Sequence, residues 1–329
     1  MRFAPFILAA ALCAAGASGA ARAADSSATV DAVAEARGFF EARHYREAVS
    51  VLNTYLAKNP RDAVALVLRG DAKASLDDNT GALIDYNAAI VIAPQYQYAY
   101  ETRCETRLQL DDSSGALDDC NEAVRLDPKD GKAFEDRADV YFDRSAYSQA
   151  LDDYDKAVAL GRSTAYVFAA RCDANRLVGN MTRAADDCAK TLVLDPKSRR
   201  GLWANARLAM VNGKFSDAVP IWNAYIAKDA EHSNTAYYYR AAAYTRAGNA
   251  KAALPDLDVY MGRVQKDPDA YRERGFARAA TGDAAGALAD LKEAARLYGT
   301  KGNTAAADKL RAAIGALQAG QPLPALPAP

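Results

Sequence analysis

The chain is poor in the residues most often recruited for chemistry. Among 329 residues there are two histidines, two tryptophans and four methionines, which leaves little for histidine-based metal or acid–base sites. His44 and His232 are far apart in sequence and are read as solvated rather than catalytic. Charge of one sign is not in excess either. With 41 Lys+Arg against 42 Asp+Glu the balance is −1, so the overall basic surplus of a nucleic-acid binder is missing. There is no glycine-rich phosphate loop, no closely spaced cysteine pair and no G-x-S-x-G elbow, the sequence signs of nucleotide, zinc and α/β-hydrolase sites. No metal, cofactor or nucleic acid is therefore expected. No stretch reaches the roughly 20 apolar residues of a membrane span, and the composition, half apolar and a quarter charged, is that of a globular protein.

The first 24 residues have their own character. Arg2 is followed by the apolar stretch Phe6–Ala15, and small residues then lead to Ala21-Arg22-Ala23. A charged start, a short apolar core and an A-x-A end are the pattern of a secretory signal peptide. Cys13 as a lipid-attachment site is disfavoured by bulky Leu12 before it. Cleavage after Ala23 or Ala24 removes two arginines and no acid, so the mature chain carries 39 − 42 = −3. The expected compartment is exported, the bacterial periplasm in particular, with residues 25–28 as a short linker.

From residue 29 the chain repeats. Pro60, Pro94, Pro128 and Pro196 are spaced by 34, 34 and 68 residues. Blocks of 34 run without a gap over 29–62, 63–96, 97–130, 131–164, 165–198 and 199–232. After one extra residue, Ser233, they continue over 234–267 and 268–301. The twentieth position of every block is alanine, from Ala48 and Ala82 to Ala253 and Ala287. The eighth is always small or cysteine, and the twenty-fourth is bulky except for Cys120 and Cys188. Apolar groups recur with helical spacing in Ala133–Phe142 and Gln149–Leu160, separated by polar breakers such as those at 77–81 in the second block. Each block is thus expected to form two helices, with a proline ending the second. One such hairpin cannot bury its own apolar face, so neighbours must stack.

The residues Gly70, Gly81-Ala82, Tyr86, Ala89 and Pro94, and likewise Gly275, Gly282, Ala287, Leu291 and Ala294, resemble the tetratricopeptide repeat. The likeness covers 29–301. It implies an all-α fold, a right-handed superhelical α-solenoid of helix-turn-helix repeats. The usual first-helix aromatic is kept at Phe39, Tyr141 and Tyr244 but is replaced by Lys73, Arg107, Asn175, Ala209 and Arg278. Pro220 and Pro255 fall early in second helices and are expected to bend or delay them. After the repeats, Asn303 starts a predicted capping helix over 303–319, and a Pro-rich flexible tail is expected at 320–329.

Four cysteines permit three pairings. Cys104 and Cys120, and Cys172 and Cys188, occupy the same two positions of blocks three and five, each pair 16 apart. In an exported chain this points to two disulfides, Cys104–Cys120 and Cys172–Cys188. Six blocks also carry arginine seventh and aspartate twenty-third: Arg69 with Asp85, Arg103 with Asp119, Arg137 with Asp153, Arg171 with Asp187, Arg240 with Asp256 and Arg274 with Asp290. Blocks one and six lack both members. Joint gain and loss predicts an ion pair between the two helices of a hairpin.

In the family, certain first-helix positions face the concave groove. At those positions this chain has an acidic middle, Glu101, Glu105, Glu135, Asp136, Asp139, Asp143 and Asp173. An aromatic and basic C-terminal part follows, with Arg200, Trp203, Arg207, Tyr238 and Tyr239. The resemblance thus implies a protein or peptide partner, with a basic segment for the acidic middle. The lysine–asparagine–arginine clamp that some members use for acidic C-termini is not reproduced. The function that follows is a non-enzymatic exported scaffold in envelope assembly, secretion or a surface-polymer pathway. One alternative is an accessory subunit docking on a membrane complex by its convex face or tail, and a remoter one is a cryptic hydrolase.

Overall fold

In the computed structural model, residues 23–326 are described, with side chains from Ala32 onward. The segment expected to be an export signal, residues 1–24, lies outside the described residues except for Ala23 and Ala24. Among the described residues there are seventeen helices and no strand. The architecture is an all-α helical-repeat solenoid, divided into two compact units, one ending at Ser163 and the other starting at Thr164.

The first unit holds α1 (Ala23–Glu41), α2 (Tyr45–Lys58), α3 (Ala63–Ala74), α4 (Asn79–Ile92), α5 (Gln97–Gln109), α6 (Ser113–Leu126), α7 (Gly131–Asp143) and α8 (Tyr147–Ala159). The second holds α9 (Ala165–Leu177), α10 (Met181–Leu194), α11 (Arg199–Val211), α12 (Phe215–Ile226), α13 (Asn234–Arg246), α14 (Ala250–Arg263), α15 (Pro268–Ala280), α16 (Ala284–Thr300) and α17 (Thr304–Gln318). Each odd helix up to α15 packs on the even helix that follows it. Odd helices also touch across repeats, α1/α3, α3/α5 and α5/α7 in the first unit, α9/α11 and α13/α15 in the second. Even helices do not approach one another to the same degree, so the odd helices line the inner side of each stack. Because α1 starts at Ala23, residues 25–28 belong to the first helix rather than to a linker.

The hairpin follows from two matched positions. The alanines at position twenty are all fully buried, where any larger side chain would force the two helices apart. The eighth and twenty-fourth residues meet across the hairpin as small against large. A Cβ added at Gly70 would lie 2.4 Å from the Tyr86 ring, so only glycine lets that ring in. Leu52, Tyr86, Tyr154, Trp222, Leu257 and Leu291 are almost completely buried in these places. Truncating one such leucine to alanine costs about 2–5 kcal/mol.

Helix starts and stops are written locally. Asp62, Asp78, Asp112, Asp130, Thr164, Ser198, Asp267, Asp283 and Asn303 each accept a backbone N–H from the first turn of the helix they precede, satisfying donors that have no intrahelical partner. Every first helix ends alike. The residue at position fifteen is left-handed, and the next N–H returns to the carbonyl of position eleven, for instance Asp78 to Lys73 and Asp283 to Arg278, both 2.9 Å. This is the Schellman closure. The second unit has glycine at that position (Gly179, Gly213, Gly248, Gly282). The first unit places Arg43, Asp77, Asp111 and Ser145 there at φ of 59–63°.

Two local expectations change. Pro220 and Pro255 lie inside α12 and α14 without delaying either helix, because both helices start at the same block position as their counterparts. The one local departure is that α14 opens with a tightened bond from Ala252 N–H to Asn249 O. The tail, expected to be free, lays Leu323 and Leu326 against the cluster of Phe276, Leu291, Tyr298 and Leu310. That cluster is the apolar end of the second unit, and two leucines between prolines gain more by covering it than by staying in water.

The left-handed position gives a direct test. Ser145→Gly removes a Cβ clash that costs roughly 1 kcal/mol, so chemical denaturation is expected to show a gain of that order. Gly213→Ala is expected to lose a similar amount.

Candidate functional site

The polar residues separate into those used to close hairpins and those left over. The arginine–aspartate pairs belong to the first group. Arg69 donates from Nε and Nη2 to Asp85 at 2.9 and 2.6 Å. The same fork joins Arg103 to Asp119, Arg137 to Asp153, Arg171 to Asp187, Arg240 to Asp256 and Arg274 to Asp290. The aspartates are buried, and two parallel charge-assisted bonds set the rotation of one helix on the other. The third guanidinium nitrogen reaches the preceding repeat at its twenty-fifth position, in the pairs Arg69–Asn53, Arg103–Asn87, Arg137–Asn121, Arg240–Asn223 and Arg274–Asp258. One arginine thus fixes both a hairpin and its junction with the previous one.

The unusual residues at position eleven serve the same carboxylates. Lys73 Nζ lies 2.8 Å from Asp85, Arg107 and Arg278 each donate at 2.8 Å to Asp119 and Asp290, and Asn175 donates to Asp187 at 3.2 Å. Where the repeat lacks its aromatic, the buried aspartate thus gains a further donor.

Both cysteine pairs are bridged, Cys104–Cys120 with Cα atoms 5.6 Å apart and Cys172–Cys188 with Cα atoms 5.4 Å apart. They stand where other repeats put a small residue against a large one, directly beside the Arg–Asp forks, and are nearly inaccessible. Their place is structural.

The acidic middle is largely an interior feature. Glu101, Glu135, Asp136 and Asp173 are each at least nine-tenths buried. Gln97 on α5 donates to Glu101 at 2.7 Å and to Asp130 at 2.9 Å. Lys132 on α7 bonds both Glu105 and Asp136, and Arg162 Nε lies 2.6 Å from Glu135. Tyr154 donates to Asp139 and Ser113 to Asp143. Of the seven acids read as groove surface, only Asp143 is exposed; Glu105 and Asp139 are half-buried. Burial, and then repulsion from Asp130, raises Glu101 to about 9. Asp136 also stays protonated well above the usual carboxylate range, chiefly because it is buried, and its second oxygen has no hydrogen-bond partner. The Lys132 ammonium is disfavoured by burial but held charged by Asp136 and Glu105.

In the second unit the aromatic residues are shared between core and surface. Tyr238 is buried and packs on Tyr260 and Tyr239. Trp203 is half-buried, its ring edge-on to Trp222 and Tyr239 at 5.1 and 5.8 Å, so its main contribution is to the junction between repeats. Arg200 lies over Tyr166 at 4.3 Å and Arg207 over Tyr239 at 4.1 Å. Arg246 is committed to fully buried Glu273, which Arg272 also contacts. His44 is in the first unit, and His232 in the second stands exposed beside Asp229. Among the described residues no group of acids, histidines or cysteines is arranged to hold a metal ion. No described helix is long and apolar enough to cross a membrane.

Stacked helical hairpins joined by small-to-large contacts define an α-helical repeat scaffold. The Tetratricopeptide repeat family model matches residues 33–97, 105–165 and 204–268, over half of the sequence, and the chain belongs to that family. It is similar in fold to a tetratricopeptide repeat protein from Parabacteroides merdae ATCC 43184, with 19% identity and a TM-score of 0.55 over 75% of this chain and 98% of that one. Similarity to the APC/C hetero-tetramer Cut9–Hcn1 has a TM-score of 0.66 at 14% identity, over 86% of this chain and 55% of that one. Pseudomonas aeruginosa pilF shows 16% identity and a TM-score of 0.56, over 63% of this chain and 95% of pilF. At such identities only the fold is shared. No curated protein sequence matches the chain. Scaffolds of this family are protein-interaction adaptors and generally not enzymes.

Two tests follow. Asp71 on α3 accepts hydrogen bonds from Tyr86 at 2.9 Å and Tyr98 at 3.2 Å, yet burial raises its carboxyl to about 7. Below about pH 4 it is protonated whether the chain is folded or not. Between pH 4 and 7 the folded chain keeps a proton that the unfolded chain releases, so the stability of the wild type relative to Asp71→Asn falls as pH rises and levels off above 7. Thermal unfolding of both forms across this range checks the sign. For the cysteines, thiol titration of the chain from residue 25 onward, purified without reductant, is expected to find none free before reduction and four after. Breaking either bridge is expected to cost about 3 kcal/mol of stability.

Proposed function

We propose that the chain is a non-enzymatic exported adaptor that holds a segment of a protein partner on the inner helix faces of its repeats, in envelope assembly, secretion or a surface-polymer pathway. The observation that carries this is the division of labour among the helices. Small-to-large contacts and ion pairs consume the surface between odd and even helices, while the inner faces of α5, α7, α9, α11 and α13 keep half-exposed charged and aromatic groups. Aromatic residues and arginine are the usual anchors of protein interfaces. A basic stretch of the partner suits the first unit through Asp143, which is exposed, and Glu105 and Asp139, which are half-buried, the inner-face acids that solvent still reaches. The signal-like N-terminus and the two disulfides support export, because such bridges persist in oxidising compartments.

A second reading, docking on a membrane complex by the outer helices, draws on the apolar residues they expose. Ile84 and Val91 on α4 are 64% and 83% exposed, and Val193 on α10 is 82% exposed. Photo-crosslinking amino acids placed in the exported compartment separate the two. Capture of one discrete partner from positions Asp143 and Arg207, with none from Val91 and Val193, is the expected outcome. The reverse pattern would assign docking to the outer face, and silence at all four positions would end both readings.

A further inference from the structure

The adaptor reading leaves open what the second unit recognises, and the inference drawn next rests on that reading. The arginines of this chain fall into two kinds. Those at position seven are saturated, each making two parallel bonds to a buried aspartate. Arg176 on α9 and Arg207 on α11 are not. Arg176 reaches Asp173 only through Nη2 at 3.3 Å, and its buried Nε has no hydrogen-bond partner. Among the described residues the Arg207 guanidinium has no carboxylate partner and rests over the Tyr239 ring.

Arg200, two turns along α11 from Arg207, lies over Tyr166. All three guanidiniums act on the single Asp173 carboxyl, whose proton affinity is raised by burial and lowered by each of them in turn. Arg176 and Arg207 thus set two positive charges against one acid. Packing did not need this surplus, since the hairpins are already closed by Arg171–Asp187 in one repeat and by Trp222 in the next. Guanidiniums held in place with unused donors form a ready receptor for carboxylate, because their ordering cost has been met in the free protein. Tyr239, stacked on Trp222 and covered by Arg207, and Trp203, edge-on to both rings, are half-buried, and the parts that solvent reaches offer apolar contact to a neighbour of that acid.

We infer that α9 and α11 form a subsite for an acidic peptide segment of the partner, with Arg176 and Arg207 binding a side-chain carboxylate and Tyr239 and Trp203 receiving the adjacent apolar residue. This assigns opposite charge preferences to the two units: basic segments suit the inner face of the first, acidic ones that of the second. The positions involved differ from those of the lysine–asparagine–arginine clamp, and the recognised group is a side chain within a segment rather than a chain end.

The test is fluorescence anisotropy on the mature full-length chain with a labelled decapeptide centred on Glu-Phe-Asp-Leu, and with matched peptides centred on Gln-Phe-Asn-Leu and Lys-Phe-Arg-Leu. The acidic peptide is expected to bind about tenfold more tightly than its amide counterpart, with affinity falling as salt rises. Arg207→Gln is expected to remove most of that difference while leaving the thermal unfolding midpoint in place, and Arg176→Gln to remove it with some loss in midpoint, because buried Asp173 then loses its partner. Equal binding of the three peptides, tighter binding of the basic one, no acidic-peptide binding at millimolar concentration, or insensitivity to Arg207→Gln would each overturn the subsite. Crosslinking from position 207 to a partner segment lacking acids would also overturn it while leaving the adaptor reading intact. Absence of any captured partner would count against the adaptor reading itself.

Discussion

Six of the eight hairpins depend on the same bond: a guanidinium fork on the first helix gripping a buried aspartate on the second. Apolar packing alone lets two helices slide and rotate with modest loss, since one small-to-large contact resembles the next. A bidentate pair does not, because the aspartate is stranded without water if the arginine shifts by one turn. By sending its third nitrogen to an asparagine or aspartate of the preceding repeat, the same arginine carries registration along the stack. The disulfides sit one residue further along the same helices, so in repeats three and five a covalent tie reinforces the electrostatic one.

Much of this was legible in the sequence because the period is constant. Where Ala116 recurs as Ala150 and Ala184, a shared environment follows, and the helix pairs, the hairpin partners and the cysteine pairs could all be read by aligning blocks. The departures from the repeat pattern were less readable. Lys73, Arg107, Asn175 and Arg278 looked like lost aromatics, whereas each is a donor to a buried aspartate twelve residues on. The signal was present, since Arg or Lys replaces the aromatic only in blocks that carry the aspartate.

The inner faces were harder to read, and for a physical reason. Position within a block says which way a side chain points but not what the neighbouring repeat places opposite it. Glu101, Glu135 and Asp136 point inward as the repeat implies, and there they meet Gln97, Arg162 and Lys132 and are covered. Burial turns a patch that reads as strongly negative into one of partly protonated and partly neutralised carboxyls. Trp203 and Tyr238 illustrate the same point for aromatics, since large rings at a shallow junction pack on one another before they face solvent. The tail followed the same logic, its leucines settling on the apolar end of α16 and α17.

Each cystine joins the two helices of one repeat and never one repeat to its neighbour. Pulled from its ends, the chain would yield by peeling hairpins away singly, yet repeats three and five could not lengthen fully while oxidised. Each bridge withholds about 50 Å of contour, so the oxidised molecule has a shorter maximum reach than the reduced one. The greatest span of the chain is thereby governed by the surrounding thiol chemistry.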